Sequence, residues 1–465
     1  MQSIMNNKKI VTTILLWMLM FTFPIDAKEK EIVFSLQQAI DRALEKNRSV
    51  LQSKNSIDFS KLSLASTQSD FDVKITPSAG VGVIDSNESI AAGLSLNKKF
   101  VQGMDISLSP GAGMGNNDFT SRVGLSLGIP LFRGRGELVN MASVHGAEYS
   151  LRSTNRALHR TRTNIIIQTV SSFYTISQYM KKVELNTFLV ERFKNHAALA
   201  KLKSAIGLAG PLDVYRAELK VKDAQADLAD AVEALQNERY EFKSILSISQ
   251  DVDITLKEAP VDIKQINMDV ASAEKITLEN SIDIRHEKDA FKEVQRNSRI
   301  AKHNLLPDLK LSVDYSRSGE ADVFGNAFSL DEDNWGVFLT SSTDFSRTRE
   351  KLSYRQSLIN IESARINLNT TKDLARKNVR SQLNTLANAK DLVFIRKEQI
   401  HQAKGKKALA AIKFNNDMAD NFNLIEAETE LHQARLNLLN AHIDYIIGTY
   451  RLREIMGTLL AYHEE

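Results

Sequence analysis

Apolar residues recur every seven positions in two stretches of this chain, LDVYRAELKVKDAQADLADAVEALQNERYEFKSI (residues 212–245) and FNLIEAETELHQARLNLLNAHIDYIIGTYRLREI (residues 422–455). The repeated apolar residues are Val214, Val221, Leu228, Leu235 and Phe242 in the first stretch, and Leu424, Leu431, Leu438, Tyr445 and Leu452 in the second. Alanines stand at matching positions between them: Ala217, Ala224 and Ala231, then Ala427, Ala434 and Ala441. A strict heptad favours helices that supercoil around their neighbours, and alanine lets helices approach closely. The sequence therefore predicts the same helical unit twice.

Composition excludes several classes of protein. The 465 residues include 60 Lys and Arg against 57 Asp and Glu, so no excess of one charge predicts a nucleic-acid partner. There is no cysteine, which excludes disulfides, thiolate metal sites, a cysteine nucleophile and a lipid-modified N-terminal cysteine.

The first 27 residues predict an export signal. Lys8 and Lys9 precede an apolar run of 14 residues, Ile10 to Phe23, and Ile25-Asp26-Ala27 is suited to cleavage. The run is shorter than the roughly 20 residues of a membrane-spanning helix, and an uncleaved anchor is the alternative. Because residues 28–465 contain no apolar run of that length, entry into a membrane would require a closed β-barrel.

The remaining chain divides into two repeats with the same order of elements. The first repeat, residues 28–246, has an opening helix, strands at about 73–131, a long helix at about 137–205 and a short heptad helix. A linker at 247–269 contains Pro260. The second repeat, residues 270–465, has strands at about 308–345 and a long helix at about 348–414.

Four segments between Val73 and Leu131 have the period of two that is typical of strands. Val73 to Val83 and Val123 to Leu131 alternate clearly between apolar and polar or small residues, and Ala92 to Leu96 and Met104 to Leu108 do so more weakly. An isolated hairpin is only marginally stable and leaves unpaired edges. The sequence therefore predicts several copies of the chain whose strands close into a barrel in lipid.

The chain resembles the TolC-type outer-membrane efflux proteins. The resemblance is carried by the opening helix SLQQAIDRALEKNRSV, the strand-to-helix passage LSLGIPLFRGRGEL, the break AIGLAGPLDVYRAE and the heptad helix after each break. It implies a fold that combines α-helices with a membrane β-barrel: a homotrimeric β-barrel continuing into a long periplasmic α-helical barrel. The implied partners are a periplasmic adaptor (membrane fusion protein), an inner-membrane transporter and the lipid of the outer membrane.

A second helix break is predicted at residues 415–420, after the second long helix. In this family acidic side chains constrict the tip just after the second break. The corresponding residues are Asn423 and Glu426, and asparagine replaces one expected carboxylate. Asp417 and Asp420 are further candidates for the same role. For Glu426 the alternative is a solvated carboxylate at the start of a helix, where the helix dipole favours negative charge.

The resemblance also implies a tip that docks the adaptor. Its residues would be Gly207, Leu208, Ala209 and Gly210 at the first break, and Met418 and Ala419, between Asp417 and Asp420, at the second. A Gly-Leu pair is present only at the first break.

The predicted strands suggest residues for the membrane interface and a departure from the family. Trp335, Phe338, Phe345 and Phe132 are candidates for an aromatic belt, with ordinary hairpin packing as the alternative. Arg133 and Arg135 would contact lipid headgroups or cargo, or simply anchor the boundary. The family has four strands per protomer, so the weaker segments between Val73 and Leu131 form either additional barrel strands or a surface hairpin.

No catalytic or cofactor site is predicted. The nine histidines do not pair at the spacing of a helical zinc site, so no metal is predicted, and Gly111 to Gly115 lacks the pattern of a dinucleotide-binding loop. The resemblance implies a channel that serves as the exit duct of a tripartite efflux or type I secretion system and is gated at its periplasmic helical tip. No enzyme is predicted. The alternatives are a periplasmic coiled-coil adaptor and a secreted enzyme with a coiled-coil stalk.

Overall fold

The computed structural model describes residues 32–84, 87–115, 118–257, 268–416, 418 and 421–462. The predicted export signal, residues 258–267 of the predicted linker, and Asp417, Ala419 and Asp420 lie outside the described residues. The chain divides into two compact units. The first unit contains Met1–Ala43, Thr169–Val261 and Leu409–His432, and the second contains Leu44–Gln168, Asp262–Ala408 and Gln433–Glu465.

The helices and strands have the following bounds. The described helices are α1 (Leu36–Lys46), α2 (Arg48–Gln68), α3 (Glu137–Asn140), α4 (Ala142–Ala205), α5 (Pro211–Ile245), α6 (Val270–Asn280), α7 (Ile282–His303), α8 (Thr348–Asn415) and α9 (Asn421–Ile455). The described strands are β1 (Ile32–Phe34), β2 (Lys74–Ile84), β3 (Asn87–Lys99), β4 (Asp105–Gly115), β5 (Asp118–Pro130), β6 (Ile254–Leu256), β7 (Lys310–Ala321) and β8 (Glu332–Thr340).

The first unit is a helical core closed by a small parallel sheet. β1 pairs with β6, so the segment before α1 lies beside a strand of the predicted linker. Ala217 and Ala224 of α5 are at most 2% exposed and pack against Val190 and Phe193 of α4. The small heptad positions are therefore buried along α5, because alanine lets α4 come close. Of the large heptad positions, Leu235 and Phe242 are buried as well.

The second unit places four helices side by side in the order α2, α4, α7, α8. Each pair of neighbours is joined by a side-chain hydrogen bond: Ser53 Oγ to Thr161 Oγ1 (3.1 Å), Arg156 Nη2 to Asp289 Oδ2 (2.7 Å), and Ser357 Oγ to Ser298 Oγ (2.9 Å). A separate apolar cluster in this unit joins α6, α8 and α9 through Ala273, Val379 and Leu452, which are fully buried.

The second unit also contains an antiparallel sheet whose described strands are ordered β2-β3-β4-β5-β7-β8. The two weaker strand segments of the sequence are β3 and β4, and they lie inside this sheet rather than on its surface. The first repeat therefore contributes four strands to the sheet and the second contributes two.

Three predicted boundaries differ from the structure. The long helix predicted at about 137–205 is divided at Met141 into α3 and α4. The opening helix is divided at Asn47, whose side chain accepts a hydrogen bond from the backbone N–H of Ser49 and so caps α2. The last strand ends at Thr340 rather than at Phe345. Asp344 accepts a hydrogen bond from the backbone N–H of Ser346, which favours a turn over an extended strand at this point.

Among the described residues, no helix combines the length and the apolar character that crossing a membrane requires.

The turn between β3 and β4 is packed against the passage from β5 to α3. Gly103 adopts φ +96°, and Gly136 N donates a hydrogen bond to Gln102 O (2.9 Å). A Cβ at Gly103 would meet the backbone oxygen of Gly134 and the side-chain amide of Asn140. Glycine is therefore required here both by backbone conformation and by lack of space.

We expect Gly103→Ala to lower the free energy of unfolding by about 2–3 kcal/mol, because it combines left-handed backbone strain with a clash against backbone atoms. Thermal melting of the purified protein measures this loss. Gly136→Ala is the matched control, since Gly136 has φ +99° but no heavy atom within 4 Å of the added Cβ. A Gly103 variant no less stable than the Gly136 variant would contradict the packing of this turn.

Candidate functional site

The two helix breaks of the heptad repeats lie in the first unit, and one backbone hydrogen bond of the same type is present at each. At the first break Gly207 adopts φ +80°, and Leu208 N donates to Lys203 O (2.8 Å). At the second break Met418 N donates to Lys413 O (2.8 Å). Hydrogen bonds that reach back five residues are typical of Schellman helix ends, so each long helix stops in a defined turn.

The residues predicted for adaptor docking are accessible at these breaks. The side chains of Leu208 and Met418 are 66% and 75% exposed, and Gly207 and Gly210 are exposed as well. Ala209 is half-buried. The docking prediction for Ala419 falls on a residue outside the described part of the chain.

The start of α5 is fixed by its own sequence. Pro211 occupies the first helical turn, and Asp213 accepts a hydrogen bond from the backbone N–H of Gly210 (3.2 Å). Proline is preorganised for this position, and an acidic side chain there is favoured by the helix dipole. The short connection from Gly207 to Pro211 is therefore held at both ends.

Side-chain contacts bring the helices of the two breaks together. Lys203 Nζ of α4 lies 4.3 Å from the ring centroid of Phe414 in α8, and the guanidinium of Arg216 in α5 lies 5.7 Å from that of Phe422 in α9. Both distances are suited to cation–π attraction. The first break therefore lies beside the second within the same unit.

The predicted gate residues lie on the exposed side of the first turns of α9. Asn423 and Glu426 are exposed, and their spacing of three residues puts them on one helix face. Leu424 and Ala427 are buried on the opposite face. Glu430 is also exposed and continues the face of Glu426 one turn further along α9. Asp417 and Asp420 lie outside the described residues.

A buried acid–base pair that the sequence did not reveal holds α9 to α4. His196 Nε2 lies 2.9 Å from Glu428 Oε2, and the two side chains are 12% and 6% exposed. Asn421 adds a hydrogen bond from its amide to the backbone oxygen of His196 (3.2 Å). The start of α9, which bears Asn423 and Glu426, is thereby attached to α4 by polar contacts. Histidine and glutamate 232 residues apart give no local pattern, so only the fold brings them together.

The sheet carries one apolar face and one polar face across its full width. One row of paired residues, in sheet order, is Ile75, Leu96, Leu108, Leu125, Tyr315 and Trp335. The adjacent row is Lys74, Asn97, Ser107, Ser126, Asp314 and Gly336. Ile75 is 61% exposed and Trp335 is 77% exposed, so the apolar face is uncovered in the single chain.

The residues predicted for the membrane interface are exposed but do not share one face. Trp335 belongs to the apolar row, whereas Phe338 is an odd number of residues away and lies on the opposite face of β8. Phe345 and Phe132 lie outside the strands and are exposed. A single belt cannot include both Trp335 and Phe338, because strand side chains alternate between faces.

The two arginines of the strand-to-helix passage differ in their contacts. Arg133 Nη1 forms an ion pair with Glu350 Oε1 (3.6 Å), which ties the passage to the first turn of α8. Its backbone N–H donates to Pro307 O (3.1 Å). Arg135 is exposed.

Within the described residues, no cluster of three or more His, Cys, Asp or Glu is arranged to hold a metal ion.

Comparison with known proteins identifies the fold as that of outer-membrane channels. The chain resembles the Campylobacter jejuni CmeC outer membrane channel with a TM-score of 0.73, at 13% identity over 92% of this chain and 87% of that one. The Vibrio cholerae outer membrane protein VceC gives a TM-score of 0.70 at 15% identity, over 91% of this chain and 96% of that one. The open state of the Neisseria gonorrhoeae MtrE outer membrane channel gives a TM-score of 0.68 at 16% identity, over 91% of this chain and 89% of that one.

The sequence comparison matches part of the second repeat to a known family. Residues 275–458 match the family described as outer membrane efflux protein. No curated protein matches the chain. The resemblance to outer-membrane efflux proteins noted in the sequence is confirmed by this match and by the shared fold.

Proposed function

We propose that the protein is a homotrimeric outer-membrane channel, the exit duct of a tripartite efflux or type I secretion system, and that it is gated at the two helix breaks. Its partners would be a periplasmic adaptor at the breaks, an inner-membrane transporter and outer-membrane lipid. The observation that carries the proposal is the uncovered apolar row across every strand of the sheet, from Ile75 to Trp335. Exposure of such a face to water would be unfavourable by a large free energy, whereas lipid would cover it.

The edges of the sheet support assembly from identical copies. Among the described strands, β2 and β8 each have one neighbour only. Unpaired edges promote aggregation unless they are covered, and closure into a barrel removes them. A ring of copies in which β8 of one chain pairs with β2 of the next would satisfy both edges.

The proposal is tested by purification and conductance. We expect the protein to fractionate with outer membranes, to require detergent, to have the mass of a trimer by native mass spectrometry and to form ion channels in planar bilayers. A monomer that is soluble in the periplasmic fraction without detergent would contradict the proposal and favour the periplasmic adaptor. A trimer that forms no channel would contradict the proposed role as an exit duct.

Glu426 is the residue we propose for the gate. Three copies of its exposed carboxylate would form a ring that attracts cations, since rings of charged side chains set selectivity in pores. We expect Glu426→Ala to lower the ratio of cation to anion permeability severalfold at low salt. Glu233→Ala is the matched control, because Glu233 is an exposed glutamate of α5 far from the breaks. Unchanged conductance and selectivity in the Glu426 variant would rule out this residue as the gate.

We propose further that the His196–Glu428 pair holds the gate closed. Glu428→Ala removes the buried acceptor of His196 and loosens the attachment of α9 to α4. We expect a higher open probability in single-channel recordings without an adaptor. Glu233→Ala, at an exposed glutamate of α5 far from the breaks, should leave the open probability close to that of the wild type. Equal effects of the two substitutions would argue against the buried pair as a lock.

A further inference from the structure

We propose that the hairpin β3–β4 forms part of the membrane barrel wall, so that three copies of the six-stranded sheet close an eighteen-stranded barrel. The inference rests on the proposed function, because it needs three copies and a lipid environment. It predicts a wider exit than four strands per chain would give.

The hairpin is paired along nearly its whole length on both sides. All eleven residues of β2 pair with β3, from Lys74 with Asn97 to Ile84 with Asn87. All eleven residues of β4 pair with β5, from Asp105 with Gly128 to Gly115 with Asp118. A surface hairpin would leave the direct pairing of β2 with β5 in place, whereas here β3 and β4 separate these two strands.

The hairpin also continues both faces of the sheet. Leu96 and Leu108 pair with each other and extend the apolar row from Ile75 of β2 to Leu125 of β5. Asn97 and Ser107 do the same for the polar row. A shift of the pairing register by one residue would move every side chain of a strand to the other face. Because both rows continue through β3 and β4, the two strands meet the same two environments as β2 and β5.

The turn of the hairpin is attached to the elements that lead into the helices. Gln102 accepts a hydrogen bond from the backbone of Gly136, and Lys98 Nζ donates to the backbone oxygen of Phe71. Asp105 forms an ion pair with Lys310 of β7 (3.1 Å). These contacts hold β3 and β4 at the same level along the strand direction as the neighbouring strands of the sheet.

Strand direction permits closure with six strands per chain. Every described neighbour pair in the sheet is antiparallel, so β2 and β8 run in opposite directions. β8 of one copy can then pair with β2 of the next in the same antiparallel pattern. This antiparallel closure requires an even number of strands per chain. The insertion of a whole hairpin adds two strands and so keeps the number even.

The width of the six-stranded sheet agrees with that of the helices in the same unit. Strands 4.7–4.9 Å apart and tilted by about 40° each occupy about 6 Å of circumference, so six strands occupy about 37 Å and four occupy about 25 Å. Four helices side by side, α2, α4, α7 and α8, occupy about 36 Å at 8–10 Å each. Six strands therefore continue the helical layer without a narrowing.

Single-cysteine labelling tests the inference in the intact trimer. The chain contains no cysteine, so each variant carries a unique thiol. We expect Leu94→Cys and Leu108→Cys to be protected from a water-soluble maleimide and accessible to a lipid-soluble thiol reagent in vesicles. Ser95→Cys and Ser107→Cys, on the opposite face, should react with the water-soluble maleimide. Equal labelling of all four by the water-soluble reagent would overturn the inference.

Excision of Asn87–Gly115 tests the size of the ring. The pairing puts Ile75 and Leu125 in one row, so direct pairing of β2 with β5 in the excised chain would keep both the apolar and the polar row. We expect trimers whose barrel diameter, seen end-on in nanodiscs by electron microscopy, falls by about one third, from about 36 Å to about 24 Å between strand axes.

The outcomes separate the two proposals. A wild-type protein that forms no channel overturns the proposed function and the inference together. A wild-type channel with uniform cysteine labelling, or an excised trimer of unchanged diameter, overturns the inference alone. If the excised chain does not assemble, the cysteine variants still decide the question, because they keep the full chain.

Discussion

Replacing Asp289 by asparagine should lower the free energy of unfolding by about 3–5 kcal/mol, because it leaves a buried arginine without its carboxylate. Asp289 Oδ2 lies 2.7 Å from Nη2 of Arg156, whose side chain is 2% exposed. Arg152 binds the same carboxylate oxygen at 3.2 Å. Thermal melting and urea denaturation of the two proteins in detergent measure the loss of unfolding free energy.

The matched control for Asp289→Asn is Asp283→Asn in the same helix. Asp283 pairs with Arg160 at 2.7 Å, but the two side chains are 60% and 38% exposed, and exposed ion pairs contribute about 0–1 kcal/mol. If the two variants were equally stable, burial would not be the source of the effect.

The stability that Asp289 contributes should depend on pH. Burial alone would raise the pKa of this carboxyl, but hydrogen bonds from Arg152 and Arg156 outweigh it and lower the pKa below 3.8. The folded protein therefore binds this proton less readily than the unfolded chain. The contribution is present above pH 3.8 and is lost as the pH falls through the lowered pKa. In Asp289→Asn this part of the acid destabilisation should be missing.

Phe242→Ala should be comparably damaging in the first unit, at about 3–5 kcal/mol, because it opens a cavity in a closely packed aromatic cluster. Phe242 is fully buried, and its ring centroid lies 6.4 Å from that of Phe34 and 6.2 Å from that of Phe173. The ring thus links β1, α4 and α5. Urea denaturation followed by circular dichroism measures the change.

Tyr240→Ala is the control for Phe242, since it removes an aromatic ring from the same helix that is 49% exposed. We expect a loss of less than about 1 kcal/mol, as for most surface substitutions. A Phe242 variant within that range would mean that the cluster repacks around the missing ring.

Periodic features of the fold could be predicted from the sequence, because they depend on local spacing. The heptads of residues 212–245 and 422–455 predicted α5 and α9 to within one residue at each end. The alternation in Val73 to Val83 predicted β2, and weaker alternation indicated β3 and β4. Helical and strand periods report directly which side of an element is buried.

Features that depend on distant contacts could not be predicted. The sequence left open whether β3 and β4 join the main sheet, because an alternating strand does not specify its neighbours. The buried pair of His196 and Glu428 joins two repeats and has no sequence signature. The division at Asn47 rests on a single side-chain cap within an otherwise continuous helical pattern.

The inserted hairpin has a consequence for the surface of the cell. β2, β4 and β7 end, and β3, β5 and β8 begin, at the end of the sheet away from the helices, so a protein in the proposed orientation would turn this end of all six strands outside. The connection from β7 to β8 contains Phe324 and Phe328, whose rings lie 5.0 Å apart, and Phe324 packs on Phe119 of β5. Antibodies and bacteriophages that bind intact cells would meet an aromatic, ordered epitope there, repeated around the rim of the exit.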